Sequence, residues 1–131
     1  MTGSIKAGHM VLVGFTHTDD EETVRKMAEK LVKLRIFEDE EGKINRSVVD
    51  IGGRILSISQ FTLYADCRKG NRPSFTDAMA PAEAKRLYGC FNDQLRQLGL
   101  EVEEGIFGAD MKISLVNDGP VTIVLDSEVL W

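Results

Sequence analysis

The run Arg54-Ile55-Leu56-Ser57-Ile58-Ser59-Gln60-Phe61-Thr62-Leu63-Tyr64 constrains the fold more than any other stretch of the chain. It is apolar on both alternating phases up to Ser57, and a strand that is apolar on both faces has to be covered on both. The pattern predicts a central strand over 54–64, entered from the tight turn Gly52-Gly53. At 131 residues the chain holds one domain and one core, so its neighbours must come from the same unit.

Met10-Val11-Leu12-Val13-Gly14-Phe15 has strand length and β-branched content, which predicts a second buried strand. Arg35-Ile36-Phe37 and Ser47 to Ile51 predict further short strands, and Leu100 to Glu104 predicts a short edge strand. Thr18 followed by Glu21 has capping-box spacing and predicts a helix start. Val24, Met27, Ala28, Leu31 and Val32 then recur on one helical face, with charged residues on the other. A second helix is predicted from Pro81, with Ala84, Leu87, Tyr88, Phe91, Leu95 and Leu98 at helical spacing and Gly99 as its stop. Asn117-Asp118-Gly119-Pro120 separates the apolar runs Met111 to Val116 and Val121 to Leu125, which predicts a closing hairpin. The fold class expected is a single α/β domain over residues 1–131, with two helices on one sheet.

Pro120 is a poor choice for that hairpin, because it removes an amide where a ladder wants one. Two readings account for it. One is a tight turn with a trans Pro at a strand start. The other is a cis Gly-Pro bond, which the weak trans preference before Pro permits and which aims two neighbouring carbonyls the same way, toward an ammonium group.

Charge and composition exclude several classes. A formal net charge of -5 argues against a protein that coats nucleic-acid backbone, DNA included, while a local contact with an RNA end stays compatible. Arg68-Lys69-Gly70-Asn71-Arg72-Pro73 is the most basic stretch, inside a long loop expected over Ala65 to Ala80, and is the candidate for phosphate contacts. No apolar run reaches the roughly 18–20 residues of a spanning helix, and the N-terminus lacks a signal-peptide layout, so no membrane partner and a cytoplasmic location are expected. Cys67 and Cys90 have neither disulfide-framework nor zinc-site spacing. The acids Glu38 to Glu41 lack a ligand-bearing partner segment, so no metal and no cofactor are expected. His9 and His17 stand near no nucleophile-like segment, and no Gly-rich phosphate loop follows a strand. Polar Ser59, Gln60 and Thr62 at the end of a buried strand need partners, either a substrate or the core itself.

Four motifs name a candidate family. Ser59-Gln60-Phe61-Thr62-Leu63, Asn71-Arg72-Pro73-Ser74-Phe75, Phe107-Gly108-Ala109-Asp110-Met111 and Asn117-Asp118-Gly119-Pro120-Val121-Thr122, in that order, resemble the D-aminoacyl-tRNA deacylase family over nearly the whole chain. The resemblance implies a mixed, mainly antiparallel, barrel-like sheet with two helices. It further implies a homodimer that hydrolyses the ester between a D-amino acid, or glycine mischarged on tRNA-Ala, and tRNA. Ser59, Gln60, Phe61 and Thr62 would line the pocket, with main-chain N–H groups near Phe61 stabilising an oxyanion. Gly119 and Pro120, projecting from the partner copy in a cis conformation, would hold the substrate amino group. Phe107 and Met111 would cradle the terminal adenine. Thr62 is then either a nucleophile or a wall of a chiral mould in which the ribose 2′-OH helps activate water; the lack of an evident base favours the mould. Members of the family usually begin with an additional apolar strand carrying an Arg that pins the Gly-Pro loop, and that segment has no counterpart after Met1. An exposed sheet edge is expected in consequence, and the competing reading is an inactive tRNA- or protein-binding module on the same fold.

Overall fold

A computed structural model describes residues 2–131. Three strands, β1 (Gly8–Val13), β4 (Arg54–Ser59) and β5 (Val102–Glu104), form one sheet in the order β1-β4-β5, and a separate antiparallel pair joins β2 (Phe37–Glu38) to β3 (Ile44–Arg46). Both pairings of the larger sheet are parallel: Gly8 lies opposite Arg54, Val13 opposite Ser59, Ile55 opposite Val102 and Ser57 opposite Glu104. Parallel neighbours need crossover connections, and the two long helices α1 (Glu21–Lys33) and α2 (Pro81–Gln97) lie in them.

The helices cover one face of this sheet. Val24, Ala28 and Leu31 of α1 and Leu87, Phe91 and Leu95 of α2 are buried with Val13, Ile55 and Val102, so the predicted helical faces are the ones that make the core. Asp20 caps α1, its carboxylate accepting from the Thr23 amide at 2.9 Å, two residues beyond the expected Thr18. The reason is that Asp19 is already engaged, accepting the Thr16 amide at 2.8 Å in the preceding turn. Pro81 stands in the first turn of α2 as expected, where its missing N–H costs nothing.

Several expectations need correction. The larger sheet is parallel, not mainly antiparallel, and the described pairings do not close a barrel. The predicted hairpin over Met111 to Leu125 forms no ladder: among the described residues both arms are unpaired, and Val116, Val124 and Ile123 are exposed. Pro120 has no donor to give, and an isolated two-stranded ribbon is marginal without a third strand or a covering helix. Ser47 to Ile51 does not return to the sheet. Ser47 and Asp50 cap each other's amides at 2.9 and 3.2 Å, locking a turn that plugs Val48 into the core. The central strand stops at Ser59, five residues early, and Phe61–Tyr64 is a 3-10 turn. Its second face is only partly covered: Leu56 is half-buried opposite Met10, and Leu12, opposite Ile58, is 41% exposed.

His9 on β1 gives the fold a pH dependence. Its ring centroid is 4.9 Å from that of Phe37, and its buried Nε2 finds no hydrogen-bond partner among the described residues. Burial therefore lowers its pKa below the ordinary 6.5. Between that lowered value and 6.5 the unfolded chain binds the extra proton, so stability rises with pH through this window and is lost as pH falls through it. Urea midpoints taken from about pH 5.5 to 7.5 should climb in the native chain and stay flatter in His9→Gln. Equal slopes in the two proteins would remove His9 as the cause.

Candidate functional site at the strand ends

Parallel strands bring their C-terminal ends to one edge, and open α/β sheets bind ligands there. Here that edge carries Val13, Ser59 and Glu104, followed by Gly14, Gln60 and Gly105. Two of these exits depend on having no side chain. A Cβ on Gly14 would lie 3.0 Å from the Gln60 carbonyl oxygen and 3.2 Å from Leu63 Cβ; one on Gly105 would lie 2.6 Å from the Met111 sulfur. The absent methyl groups let the 60–63 turn and Met111 close onto the sheet end.

The Gln60 amide donates to the Val13 carbonyl at 2.8 Å, the last bond before the chain leaves the sheet. The 3-10 turn then begins with Leu63 N–H to the Gln60 carbonyl at 3.3 Å, which leaves the Phe61 and Thr62 amides ahead of it without a backbone partner among the described residues. The Gln60 side-chain amide bonds to the Thr62 hydroxyl. A primary amide is not a base in either orientation, so this contact orients Thr62 without activating it. His17 is engaged elsewhere, with Nε2 2.6 Å from the Thr76 carbonyl. Phe61 and Leu63 are 56% and 53% exposed, and Phe61 meets Phe75 edge-on at 5.1 Å between centroids.

On the other side of the edge stands a group that the sequence reading treated only as core. The buried hydroxyl of Tyr88 on α2 donates to the Ser57 carbonyl at 2.6 Å, and the Gly105 amide donates to the same oxygen at 3.1 Å. The Tyr88 ring lies 6.1 Å from that of Phe107. One residue thus ties the helix to the central strand two positions before Ser59, and to the loop carrying Phe107. The available signal was a tyrosine on a helix's core face, whose hydroxyl has to find an acceptor.

The structure brings together Ser59, Gln60, Phe61 and Thr62 on one side of the edge and Met111 on the other, beside Ile58 and Gly105. Phe107 packs partly buried against the core. It does not bring in Gly119 and Pro120. Their peptide bond is cis and both residues are exposed at a tip held by its own hydrogen bonds, Val121 N–H to Asn117 Oδ1 at 3.0 Å and Asn117 Nδ2 to Thr122 Oγ1 at 2.9 Å. Among the described residues no hydrogen bond joins this tip to the 59–62 segment.

Electrostatics around the 3-10 turn are acidic on one flank. Burial, with Asp19, Asp126 and Glu128 nearby, pushes the Tyr64 phenol up to about 12, so it stays neutral. Burial also raises the Asp19 carboxyl. On the other flank Arg68 clamps Asp66 with two hydrogen bonds of 2.9 and 2.7 Å and holds its carboxyl down to about 2. Two surface clefts, one lined by Arg96, Leu100 and Glu101 and one by Lys6, Gly52 and Arg54, open at the opposite ends of β4 and β5. Neither holds a histidine, cysteine or aromatic side chain, so the C-terminal edge is the better candidate.

A parallel α/β sheet with polar strand-end residues and an aromatic-bearing loop defines a small-domain class that binds at its edge, and sequence comparison narrows it. The family model described as D-Tyr-tRNA(Tyr) deacylase matches residues 1–126, and the chain belongs to that family. It is 56% identical over 127 residues to a D-aminoacyl-tRNA deacylase of Thermus aquaticus, covering 97% of this chain and 84% of that protein. A D-aminoacyl-tRNA deacylase of Anoxybacillus flavithermus is also 56% identical, over 98% of this chain and 88% of its own length. Among solved structures, the c-Myc DNA Unwinding Element Binding Protein superposes with a TM-score of 0.86 at 42% identity, over 93% of this chain and 83% of that one. A probable eukaryotic D-amino acid tRNA deacylase shares the fold at a TM-score of 0.67 and 21% identity, over 79% and 76% of the two chains.

Tyr88→Phe keeps the ring beside Phe107 and deletes the bond to Ser57. With Gly105 still satisfying that carbonyl, the expected loss is about 0.5–1.5 kcal/mol of folding stability. A urea melt with an unchanged midpoint would show that the hydroxyl contributes nothing to the tie.

Proposed function

We propose that the protein is a D-aminoacyl-tRNA deacylase, a cytoplasmic hydrolase that removes D-amino acids, and glycine mischarged on tRNA-Ala, from tRNA. The observation that carries this reading is the family match across residues 1–126, with the Ser59-Gln60-Phe61-Thr62 segment at the C-terminal edge of the sheet. Water attacks the ester carbonyl; the bond to the ribose oxygen breaks, that oxygen takes up a proton, and free tRNA and the amino acid leave. Negative charge developing on the carbonyl oxygen is met by the main-chain N–H groups of Phe61 and Thr62, which the turn leaves unpaired. Phe107 and Met111 cradle the terminal adenine. The ribose 2′-OH of the substrate assists the water, while Ser59, Gln60 and Thr62 shape the wall. Positioning and oxyanion stabilisation together can supply much of the barrier reduction in such a hydrolysis.

Gly119 and Pro120 select chirality in this reading by holding the α-amino group between their carbonyls and leaving no room for an L side chain. Their exposure at a self-contained tip supports donation to the pocket of a second copy in a homodimer. The exposed apolar residues Leu115, Val116, Ile123 and Val124 of the unpaired arms are the surface that such a dimer would bury.

Incubation with D-Tyr-tRNA and L-Tyr-tRNA tests the activity: release of D-Tyr well above L-Tyr is expected, and no D-selective release at stoichiometric protein would end the reading. Thr62→Ala is expected to retain substantial D-Tyr-tRNA hydrolysis, because the hydroxyl contacts an amide and has no base. A loss approaching the roughly million-fold of a deleted nucleophile would make Thr62 the attacking group instead.

A further inference from the structure

We propose that the loop from Cys67 to Pro73, through Lys69 and Arg72, is the docking surface for the ribose-phosphate backbone of the RNA strand that leads into the strand-end site. The inference rests on the deacylase reading for the strand's identity, but its observations are independent of that reading. The protein is acidic overall at -5, so any hold on a polyanion has to come from a local concentration of cations. Residues 66–73 carry Arg68, Lys69 and Arg72 against the single acid Asp66. Arg68 is spent on Asp66, with Nη2 2.7 Å from Oδ2, and that pair neutralises itself. Lys69 and Arg72 are exposed and form no ion pair among the described residues, which leaves two uncompensated cations at the tip.

The loop is tethered at its base. The Asp66 amide donates to the Ser74 carbonyl at 2.7 Å and the Ser74 amide returns a bond to Asp66 at 2.9 Å, closing the loop on a two-bond stem. The strand leaving the stem is fastened to the segment after β1: Thr16 Oγ1 donates to the Asp77 carbonyl at 2.6 Å and the Met79 amide to the Phe15 carbonyl at 3.0 Å. Gly70 turns the tip with a φ of +66°, and a Cβ there would meet nothing within 4 Å, so the turn faces open space. Phe75 follows the stem, and its ring lies edge-on to Phe61 at 5.1 Å, which sets the base of the loop beside the candidate site. Cations on a loop tethered beside exposed aromatic rings are a combination that binds single-stranded nucleic acid, the cations tracking phosphates and the rings stacking bases.

Neutralising two phosphates of a single strand contributes about 1.4 to the slope of log affinity against log salt. The double variant Lys69→Gln/Arg72→Gln is therefore compared with the native protein in two measurements. In the first, fluorescence titration with uncharged tRNA over a salt series, the variant should bind at least about tenfold more weakly at low salt, with a slope shallower by about 1.4. In the second, kcat/KM should fall in parallel for D-Tyr-tRNA, whereas a D-tyrosyl ester of adenosine without phosphates should show no comparable loss. An unchanged salt slope for uncharged tRNA overturns the proposal, and so does an equal loss on both esters, which would mean that the site itself is damaged. If the native protein cleaves neither ester, the deacylase reading fails, while the titration still decides whether the loop holds RNA.

Discussion

The parallel pairing of β4 with β1 on one side and β5 on the other is the constraint on which everything else hangs. Its register, Val13 opposite Ser59 and Ser57 opposite Glu104, sends three chain exits out of one edge within a few residues of each other. Had β1 run antiparallel, its C-terminal end would lie at the far edge, and the Gln60 amide could not find the Val13 carbonyl as its last ladder bond. The shared acceptor on Ser57 tightens the same edge from behind. Its oxygen takes one bond from helix α2 through Tyr88 and one from the β5 exit through Gly105, so helix, central strand and the start of the loop carrying Phe107 are tied at one point. A site that relies on positioning needs a support of that kind, since a small misplacement of reacting groups costs much of the rate.

How much of this could be read from residues alone depends on whether a signal is local. Helices α1 and α2 were legible because their apolar residues recur at three and four, and the residues so marked, Val24, Ala28, Leu31, Leu87, Phe91 and Leu95, are buried. Caps were less so: Thr18 and Asp20 are both good N-cap types, and what decided between them was Asp19 being drawn to the Thr16 amide. Strand direction is not written in any one segment. The run from Arg54, apolar on both phases up to Ser57, pointed to a strand covered on both faces, a hallmark of parallel sheets, yet the family resemblance implied mainly antiparallel order. The one hairpin signal, Asp118-Gly119 between apolar arms, describes a turn correctly and a ladder wrongly. A turn is decided by four residues, whereas a ladder needs a neighbour that the described chain does not place beside it.

The candidate site was legible in its polar and apolar extremes. Ser59, Gln60 and Thr62 stood out because polar side chains at the end of a buried strand demand partners, and Gln60 with Thr62 partly supply each other's. Early termination of β4 at Ser59 was not legible, because Phe61, Leu63 and Tyr64 have strand-like side chains. Two backbone facts override that propensity, the 3-10 bond from Leu63 to Gln60 and the close approach of the turn to Gly14. Tyr88 was hidden for the opposite reason, since its ring fits an apolar helical face so well that its hydroxyl drew no notice.

The environment of Thr62 bears on how a protein with no conspicuous acid or base could hydrolyse an ester. A hydroxyl becomes a nucleophile when a base within hydrogen-bond reach takes its proton, and the partner here is a primary amide. Neither histidine offers an alternative: His17 is bonded to the Thr76 carbonyl, and His9 lies on β1 with its ring against Phe37. Tyr64, two residues away, is held neutral to about 12 and gives no base at physiological pH. What the turn does present is unpaired main-chain N–H groups at its start, fixed dipoles that need no reorganisation as charge builds on a carbonyl oxygen. Under the deacylase reading, the groups that would accept protons are therefore on the substrate and solvent side, and the chain's share of the work is geometric. Under the same reading the division of charge has a use: an acidic body would keep phosphates off most of the surface, and the loop with Lys69 and Arg72 would accept the backbone of an RNA strand.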